Sequence, residues 1–406
     1  MKHVIVAHHH ELVLKGNNRR YFERQLMKNM HVVLREFNSS VTISGGYGRT
    51  VLRVANAEVV EPVATRLSKV FGISNICVGV EVEQKIEKFN EAGETLLKDK
   101  KFSTIRVDTR RPDKMFLENS MEVNREVGGF LCERFGVRAN MTAPDETVFI
   151  EIVDGTAFVY TSKQPGAGGL PSGVSGKVVS LLSAGFDSPV ASWRMMRRGA
   201  SVIFVHFHSM PYTGKESVDQ VRELTKILTE FQMQSKLYII PFADIQNAIV
   251  LHSPAPLRVV LYRRMMIRIA EEIARREKAE ALITGEALGQ VASQTLRNMR
   301  VIDEAATFPI LRPLAGSDKE ETMETARRIG TYNISKEPYD DCCSFLAPRS
   351  PETWAKMEQV VEAEQHLDIE AMMRTAIEKT ERESYRFPEE VINSPAPVNA
   401  TENQAD

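Results

Sequence analysis

Cysteine is scarce in this sequence: the four cysteines in 406 residues cannot form the disulfide framework of a small secreted protein. Any cysteine with a special role is therefore expected to act chemically. Long apolar runs are also missing, since none approaches the roughly 20 residues needed to span a bilayer. The N-terminus lacks the pattern of an export signal. We therefore expect a cytoplasmic protein that makes no contact with membranes.

Excess charge is absent as well. The chain has 52 Lys and Arg against 54 Asp and Glu, a formal net charge of −2, so binding to nucleic acid would have to depend on local basic clusters. The Cys-x-x-Cys spacing of zinc and iron–sulfur sites is missing too. His8, His9 and His10 follow one another in a strand-like run and would point to opposite faces. We therefore expect no metal at these positions.

The first 163 residues are interpreted as two small α/β units. Residues 1–58 contain short β-like runs around one long helical stretch. Residues 59–163 contain further helices and strands and close with a hairpin at Asp154-Gly155. Residues 164–176 (QPGAGGLPSGVSG) are so rich in Gly, Pro and Ser that we predict a linker without regular structure.

After the linker, residues 177–385 alternate apolar strands with helices. Continuous apolar runs such as VVSLLS and SVIFVHFH are typical of parallel strands that are covered by helices on both faces. The pattern predicts a doubly wound parallel sheet in a chain of the α/β class. Residues 386–406 lack an apolar period, and we predict that they are disordered.

A loop of small residues carries the most specific local signal. The segment 183–188 (SAGFDS) leaves the first strand of the parallel sheet and enters a helix, and Pro189 suits the first turn of that helix. Exposed N–H groups at a helix N-terminus form an anion site. The segment resembles the PP-loop signature, Ser-Gly-Gly-x-Asp-Ser, of enzymes that split ATP into AMP and pyrophosphate. The resemblance implies that Ser183, Gly185 and Ser188 contact ATP, whereas Ala184 departs from the signature.

Other segments extend the resemblance over nearly residues 1 to 350. In order, they are LLSAGFDSPVA, VHFHSMPYT, LYRRMMIRIAEEIA, LITGEALGQVASQTL and LRPLAGSDKEE. They resemble the tRNA uridine 4-sulfurtransferases, also called tRNA 4-thiouridine synthetases. ELVLKGNNRRYFERQL resembles the ferredoxin-like segment of that family, and TRRPDKMFLENSMEVNREVGG resembles its RNA-binding THUMP domain. The implied domains are ferredoxin-like (1–58), THUMP (59–163) and PP-loop (177–385).

The resemblance also implies roles for particular residues. The remaining ATP contacts of the family correspond to Leu181, Leu182, His206, Phe207, Arg263, Gly285 and Gln294. Arg263 stands where the family usually has lysine. Asp187 and Lys319 correspond to catalytic positions. Asp187 is expected to help hold Mg²⁺, and Lys319 to neutralise charge that develops on the phosphates.

Cys343, in the segment YDDCCSFLAP, is the sulfur carrier that the resemblance implies. The C4 oxygen of uridine is a poor leaving group, so ATP would adenylate it before a thiolate or persulfide displaces AMP. A cysteine desulfurase would load Cys343 as a persulfide, and Cys342, Cys132 or an external thiol would resolve the intermediate. Many longer relatives carry a further cysteine in a C-terminal rhodanese domain, and we expect a short form without that domain.

Two basic clusters lie in the segments that resemble RNA-binding units. The first consists of Lys15, Arg19, Arg20 and Arg24, and the second of Arg110, Arg111 and Lys114. Cations at such sites would meet phosphates, and the resemblance implies a tRNA partner whose uridine 8 is modified. It also implies a homodimer. Sulfur supply for the thiazole of thiamine, with a thiamine sulfur-carrier protein as partner, is a second role that the resemblance suggests.

Two other interpretations stay open at the level of sequence. A PP-loop ligase or amidotransferase would also activate a carbonyl by adenylation, but it would need neither Cys343 nor the N-terminal RNA units. An RNA-binding module with a decayed ATP site is the other interpretation, and Ala184 is the argument for it.

Overall fold

The computed structural model describes residues 1–46, 48–153, 155–340, 342 and 346–388, together with the backbone of Ala396–Pro397. The chain forms two compact units, Met1–Pro171 and Ser172–Asp406. No helix in these described segments is long and apolar enough to cross a membrane.

The N-terminal unit begins with a βαββαβ arrangement. Its elements are β1 (Lys2–His8), α1 (His10–Val13), α2 (Arg19–Val33), β2 (Val41–Gly46), β3 (Arg49–Val54), α3 (Val60–Ser68) and β4 (Asn75–Glu83). The strand order β2-β3-β1-β4 confirms the ferredoxin-like topology. The topology includes α3 and β4 because β4 pairs with β1. It therefore continues past residue 58, where the sequence placed its end.

The remainder of this unit extends the same sheet. Its elements are α4 (Ile86–Leu97), β5 (Thr104–Arg110), α5 (Ser120–Phe135), β6 (Arg138–Ala139), β7 (Glu146–Val153), β8 (Thr156–Tyr160) and β9 (Gln164–Pro165). The described strands continue from β4 in the order β8-β7-β5-β6. Strands β7 and β8 form the predicted hairpin, with Val153 opposite Thr156. Asp154 of its turn lies outside the described residues.

The predicted linker 164–176 is partly packed, which corrects the expectation of irregular structure. Strand β9 pairs with Asn75 and Ile76 of β4. The N–H of Gly168 then donates to the carbonyl of Ile73, and the N–H of Gly72 donates back to Gly168, each at 2.8 Å. These hydrogen bonds satisfy backbone N–H and C=O groups without the help of side chains. A glycine-rich segment can therefore pack tightly against its neighbours.

The C-terminal unit alternates strands and helices as predicted. Its elements are β10 (Lys177–Leu181), α6 (Asp187–Met196), β11 (Ser201–His208), α7 (Glu216–Gln232), β12 (Gln234–Pro241), α8 (Ala243–His252), α9 (Arg258–Glu277), β13 (Leu282–Ile283), α10 (Leu296–Asp303), β14 (Ile310–Leu311), α11 (Lys319–Ile329), α12 (Tyr332–Ser335), α13 (Met357–Glu364), α14 (Ile369–Glu378), β15 (Glu381–Arg386) and β16 (Ala396–Pro397).

The sheet of this unit has the described strand order β14-β13-β10-β11-β12-β15-β16. Strands β14 to β12 are parallel, which confirms the doubly wound sheet. Successive strands run outward from β10 in one direction through β11 and β12, and in the other through β13 and β14. Ligands of such sheets bind beyond the carboxyl ends of the strands at this switch point. The loop after β10 therefore lies where a ligand is expected.

An antiparallel edge completes the sheet and corrects part of the predicted tail. Strand β15 pairs with β12 and ends at Arg386, and the short strand Ala396–Pro397 pairs with β15. The predicted disorder of 386–406 therefore does not hold for these positions. Residues 389–395 and 398–406 lie outside the described residues.

Candidate active site

The loop between β10 and α6 is closed by its own serines. The hydroxyl of Ser188 accepts the backbone N–H of Ser183 at 2.8 Å and lies 3.0 Å from the Ser183 hydroxyl. These two contacts hold the backbone of the loop in place. A fixed loop at a helix N-terminus presents N–H groups to an anion such as a phosphate.

Ala184 fits this loop without strain. Its side chain is fully buried, and it does not belong to the non-glycine residues with positive φ, which in the described chain are Met233 and Lys278. Ala184 also does not line the neighbouring cavity. The methyl group therefore leaves the loop geometry intact, and the argument for a decayed ATP site is removed.

A cavity of about 220 Å³ opens beside the loop. Nine of the ten predicted nucleotide contacts line it, namely Leu181, Leu182, Ser183, Ser188, His206, Phe207, Arg263, Gly285 and Gln294. Gly185 is in the loop but does not line the cavity. Cys342, which the sequence named as a candidate resolving thiol, also lines the cavity. The lining residues that the sequence did not single out are Val205, Val259, Met266, Thr284, Val291 and Ser293. Most of these side chains are small or apolar. Sequence motifs identify polar contacts more readily than the apolar residues that line a cavity.

Two buried acceptor atoms in this cavity have no hydrogen-bond partner within the described part of the chain. The Nδ1–H of His206 donates to the carbonyl of Leu182 at 2.9 Å, and burial lowers the pKa of His206 to about 4. The ring is therefore neutral, and its Nε2 is an acceptor. This Nε2 and the Oε1 of Gln294 find no hydrogen-bond partner among the described residues. Buried acceptors of this kind are normally satisfied, so the cavity fits a ligand that carries N–H or O–H donors.

Gly285 is required by close packing against the loop. A Cβ at this position would lie 2.6 Å from the backbone nitrogen of Ser188 and 2.8 Å from the carbonyl carbon of Asp187. Both contacts are far shorter than van der Waals distance and involve backbone, which cannot easily move aside. Any other residue would therefore push the end of β13 away from the phosphate loop.

Asp187 is the first residue of α6 and lines the cavity. Its carboxylate accepts a long hydrogen bond of 3.3 Å from Gln290 and does not cap the helix. Burial raises the pKa of Asp187, and Gln290 and the charge of Lys319 offset this only in part. A half-buried carboxylate of this kind is stabilised by a cation that comes with the ligand.

Lys319 begins α11 and is exposed, and it does not line the cavity. Its charge nevertheless acts on Asp187. Arg194 of α6 holds the segment before α11 by donating to the carbonyl of Pro313 at 2.9 Å and to the hydroxyl of Ser317 at 2.7 Å. The structure thus brings Lys319 to the rim of the site rather than into it.

Arg263 is held by a carboxylate that sequence reasoning missed. Its guanidinium donates to Glu286 at 2.7 Å, and Arg312 donates to the other oxygen of Glu286 at 2.8 Å. Thr284 also donates to Glu286, at 2.9 Å. Burial alone would raise the pKa of Glu286, but the two arginines hold it below its usual value. Glu286 is therefore ionised, and it orients Arg263 at the wall of the cavity.

The predicted sulfur carrier, Cys343, lies outside the described residues. Its neighbour Cys342 lines the cavity, and the backbone carbonyl of Cys342 accepts the side-chain amide of Gln246 at 2.6 Å. Burial raises the pKa of the Cys77 thiol to about 12 and also raises that of Cys132. Neither thiol is therefore activated.

The predicted RNA-contacting cations differ in their surroundings. Four of them are exposed, namely Arg20, Arg24, Arg110 and Lys114. Lys15 lies over the ring of Phe22, and Arg19 pairs with Glu23 at 3.2 Å. Arg111 instead donates to the carbonyls of Phe116 and Glu118, and so holds the loop before α5.

The fold and the cavity define an α/β nucleotide-binding domain with its phosphate loop at the switch point of the sheet. Comparison with known proteins agrees. Residues 173–369 match the family model of the thiamine biosynthesis protein ThiI, residues 4–77 match the ThiI ferredoxin-like domain, and residues 83–162 match the THUMP domain.

Relatives match over nearly the whole chain. A protein of Caldanaerobacter subterraneus subsp. tengcongensis named "Probable tRNA sulfurtransferase" is 42% identical, covering 91% of this chain and 97% of the relative. Another of that name, from Thermus thermophilus, is 38% identical and covers 95% and 94%. The crystal structure of a 4-thiouridine synthetase–RNA complex with bound ATP superposes with a TM-score of 0.86 at 32% identity, covering 95% of this chain and 100% of the other. The chain belongs to the ThiI family of tRNA sulfurtransferases.

Proposed function

We propose that this protein converts uridine 8 of tRNA to 4-thiouridine in an ATP-dependent reaction in the cytoplasm. The observation that carries the proposal is the cavity beside the closed serine loop, which places two buried acceptor atoms next to an anion site. A nucleoside triphosphate has hydrogen-bond donors on its base and ribose, which match the two acceptor atoms. Its phosphates carry negative charge, which matches the anion site. The relatives named for tRNA thiolation supply the chemical context.

The residues in and around the cavity have different roles in adenylation. The loop 183–188 and the N-terminus of α6 bind phosphate oxygens, while His206 and Gln294 accept hydrogen bonds from the nucleoside. Arg263 faces the phosphates, and Lys319 at the rim neutralises charge as pyrophosphate leaves. AMP is thereby transferred to the C4 oxygen of uridine, which becomes a good leaving group.

Mg²⁺ fits this site through Asp187. The carboxylate lines the cavity, and burial raises its pKa, so a nearby cation would favour its ionised form. The described residues contain no group of three or more His, Cys, Asp and Glu side chains arranged to hold a metal. An ion bound by one carboxylate and the phosphates of the nucleotide is the usual arrangement for Mg²⁺. When bound, it would neutralise phosphate charge.

Cys343 delivers the sulfur in this proposal. A cysteine desulfurase forms the persulfide on Cys343, and its terminal sulfur attacks C4 and displaces AMP. A second thiol then breaks the sulfur–sulfur bond and releases 4-thiouridine. Cys342, the neighbour of Cys343 in the sequence, lines the cavity, and this supports the assignment.

The tRNA binds through the N-terminal unit in this proposal. The exposed cations of the two basic clusters meet its phosphates, and the affinity should therefore fall as salt increases. A homodimer and a second role in sulfur supply to the thiazole of thiamine, through a sulfur-carrier protein, complete the proposed function.

The test is a reconstituted reaction with purified protein, ATP, Mg²⁺, unmodified tRNA, cysteine and a cysteine desulfurase. Nucleoside analysis by mass spectrometry should find 4-thiouridine at position 8 only when ATP is present. A tRNA that lacks uridine 8 is the matched control. ATP consumption without thiolation would contradict the proposal and favour a PP-loop ligase.

A further inference from the structure

Two tryptophans occur in the chain, and they differ sharply in exposure. Trp193 of α6 is 3% exposed, whereas Trp354 is 64% exposed. The guanidinium of Arg297 lies 5.4 Å from the centre of the Trp354 ring. The arginine supports the ring through a cation–π contact, and tryptophan and arginine are enriched among the residues that contribute most binding energy at interfaces.

The loop that carries Trp354 is held rigidly to a wall of the nucleotide cavity. The Thr295 hydroxyl donates to the carbonyl of Thr353 at 2.8 Å. The side-chain amide of Asn298, which is fully buried, donates to the carbonyls of Glu352 at 2.7 Å and Ala292 at 2.8 Å. Its Oδ1 accepts the N–H of Ala355 at 2.9 Å. The same segment, through its residues Val291, Ser293 and Gln294, lines the cavity.

The two segments that meet at this loop carry more cations than anions. Four exposed cations, Arg297, Arg300, Arg349 and Lys356, belong to the segments 288–300 and 346–356. Glu352 is the acidic residue of these two segments, and its carboxylate accepts the N–H of Trp354. Exposed apolar side chains, Leu288, Val291 and Leu296, lie in the same segments. Aromatic, apolar and cationic groups together are what single-stranded nucleic acid recognises.

We propose that Trp354 and Arg297 form a stacking platform for an unpaired nucleotide of the RNA substrate next to the target uridine. The inference rests on the proposed function. An enzyme that modifies a base must take it out of its stack, and the lost stacking is commonly replaced by aromatic side chains. The platform lies beside the cavity in which the uridine carbonyl must meet ATP, so a neighbouring base is within reach of it.

The test is titration of unmodified tRNA into wild-type protein and the variants Trp354→Leu and Trp354→Phe. Stacking should protect Trp354 from acrylamide quenching in wild type, and Trp354→Phe, which retains only Trp193, should show no change. We expect Trp354→Leu to raise the Kd for tRNA about ten-fold to a hundred-fold, and Trp354→Phe to restore most of the affinity. Leu251→Ala, at another exposed apolar position of this unit, is the control and should bind like wild type.

Equilibrium ATP binding shows whether each variant is folded with an intact cavity, and sedimentation shows its association state. Unchanged quenching of Trp354 by acrylamide, or wild-type affinity of Trp354→Leu for tRNA, overturns the inference while the proposed function stands. An altered association state in Trp354→Leu also overturns it, because the platform is then a contact between copies. If wild-type protein fails to bind tRNA, the proposed function itself fails.

Discussion

Arg263 and Glu286 form an ion pair of 2.7 Å at the wall of the cavity, and Glu286 is shared with Arg312. The arrangement explains how an arginine can serve where the family usually has lysine. A guanidinium has a planar fork, so one edge can be held by a carboxylate while the group still faces a phosphate. Glu286 is thus a positioning residue that acts through Arg263.

Glu286→Gln should therefore weaken ATP binding. Without its negative charge the side chain no longer orients Arg263, and hydrogen bonds to charged groups contribute about 1.5–3 kcal/mol. We expect roughly a ten-fold rise in the KM for ATP, with a smaller effect on kcat. Asp303→Asn removes the outer partner of Arg312, which lies away from the cavity. It should change KM little. Equal effects of both substitutions would show a purely structural role, and Glu286→Asp should restore part of the affinity.

Gly285→Ala should disrupt the phosphate loop. The added Cβ would lie 2.6 Å from the Ser188 nitrogen, so the loop or the strand must shift, at a cost of about 1–3 kcal/mol. Thermal unfolding should shift downward, and the stabilisation by ATP should be lost. Gly316→Ala meets nothing within 4 Å in the same unit and should leave both measurements unchanged. A Gly285→Ala protein with normal ATP binding would contradict the described packing.

The stability of the protein should decrease on mild acidification. Burial lowers the pKa of His206 from 6.5 to about 4, so the folded state binds fewer protons than the unfolded state between these values. The free energy of unfolding therefore falls as the pH decreases through this window. For one such group the loss between pH 7 and pH 5 is roughly 2 kcal/mol. His208 has a similarly lowered pKa, also about 4, and adds to the effect.

Urea unfolding of wild type and His206→Asn at both pH values checks this prediction. The variant should lose about 2 kcal/mol less stability on acidification, because one group that resists protonation is gone. His252→Asn, a change at an exposed histidine of α8, should behave like wild type. Parallel loss in all three proteins would show that His206 does not contribute.

The two adjacent cysteines should differ in their roles. Cys343→Ala should abolish thiolation, because the persulfide cannot form on the carrier. Cys342→Ala removes a thiol that lines the cavity but should retain thiolation within about ten-fold when an external thiol is supplied. Single-turnover thiolation of tRNA measures both. An active Cys343→Ala protein together with an inactive Cys342→Ala protein would show that Cys342 is the sulfur carrier.

Much of the site could be predicted from sequence because its elements are local. The strand, the loop 183–188 and helix α6 are contiguous, so the motif already contains Ser183 and Ser188, whose hydrogen bond closes the loop. The alternation of strands and helices likewise predicted the parallel sheet, since burial on both faces gives each strand an apolar run.

Contacts between distant segments could not be predicted. Glu286 and Arg312 are 26 residues apart, and the sequence does not show that their charges pair. Strand β15 reads ERESYR, which is too polar for a typical buried strand. Strand β15 nevertheless pairs with β12, and the ion pair with Arg222 allows Glu383 of this strand to be buried. Trp354 also lacks a motif, and its position beside the cavity depends on hydrogen bonds to a loop more than 50 residues earlier.

The most direct test of the account follows the C4 oxygen of uridine 8. Unmodified tRNA labelled with ¹⁸O at this position is incubated with the protein, ATP, Mg²⁺ and the sulfur donor. The ¹⁸O content of the released AMP is then measured by mass spectrometry. Adenylation of the carbonyl predicts one ¹⁸O atom in AMP for each 4-thiouridine formed. Unlabelled AMP, which would come from attack of water on ATP, would contradict adenylation of the uridine.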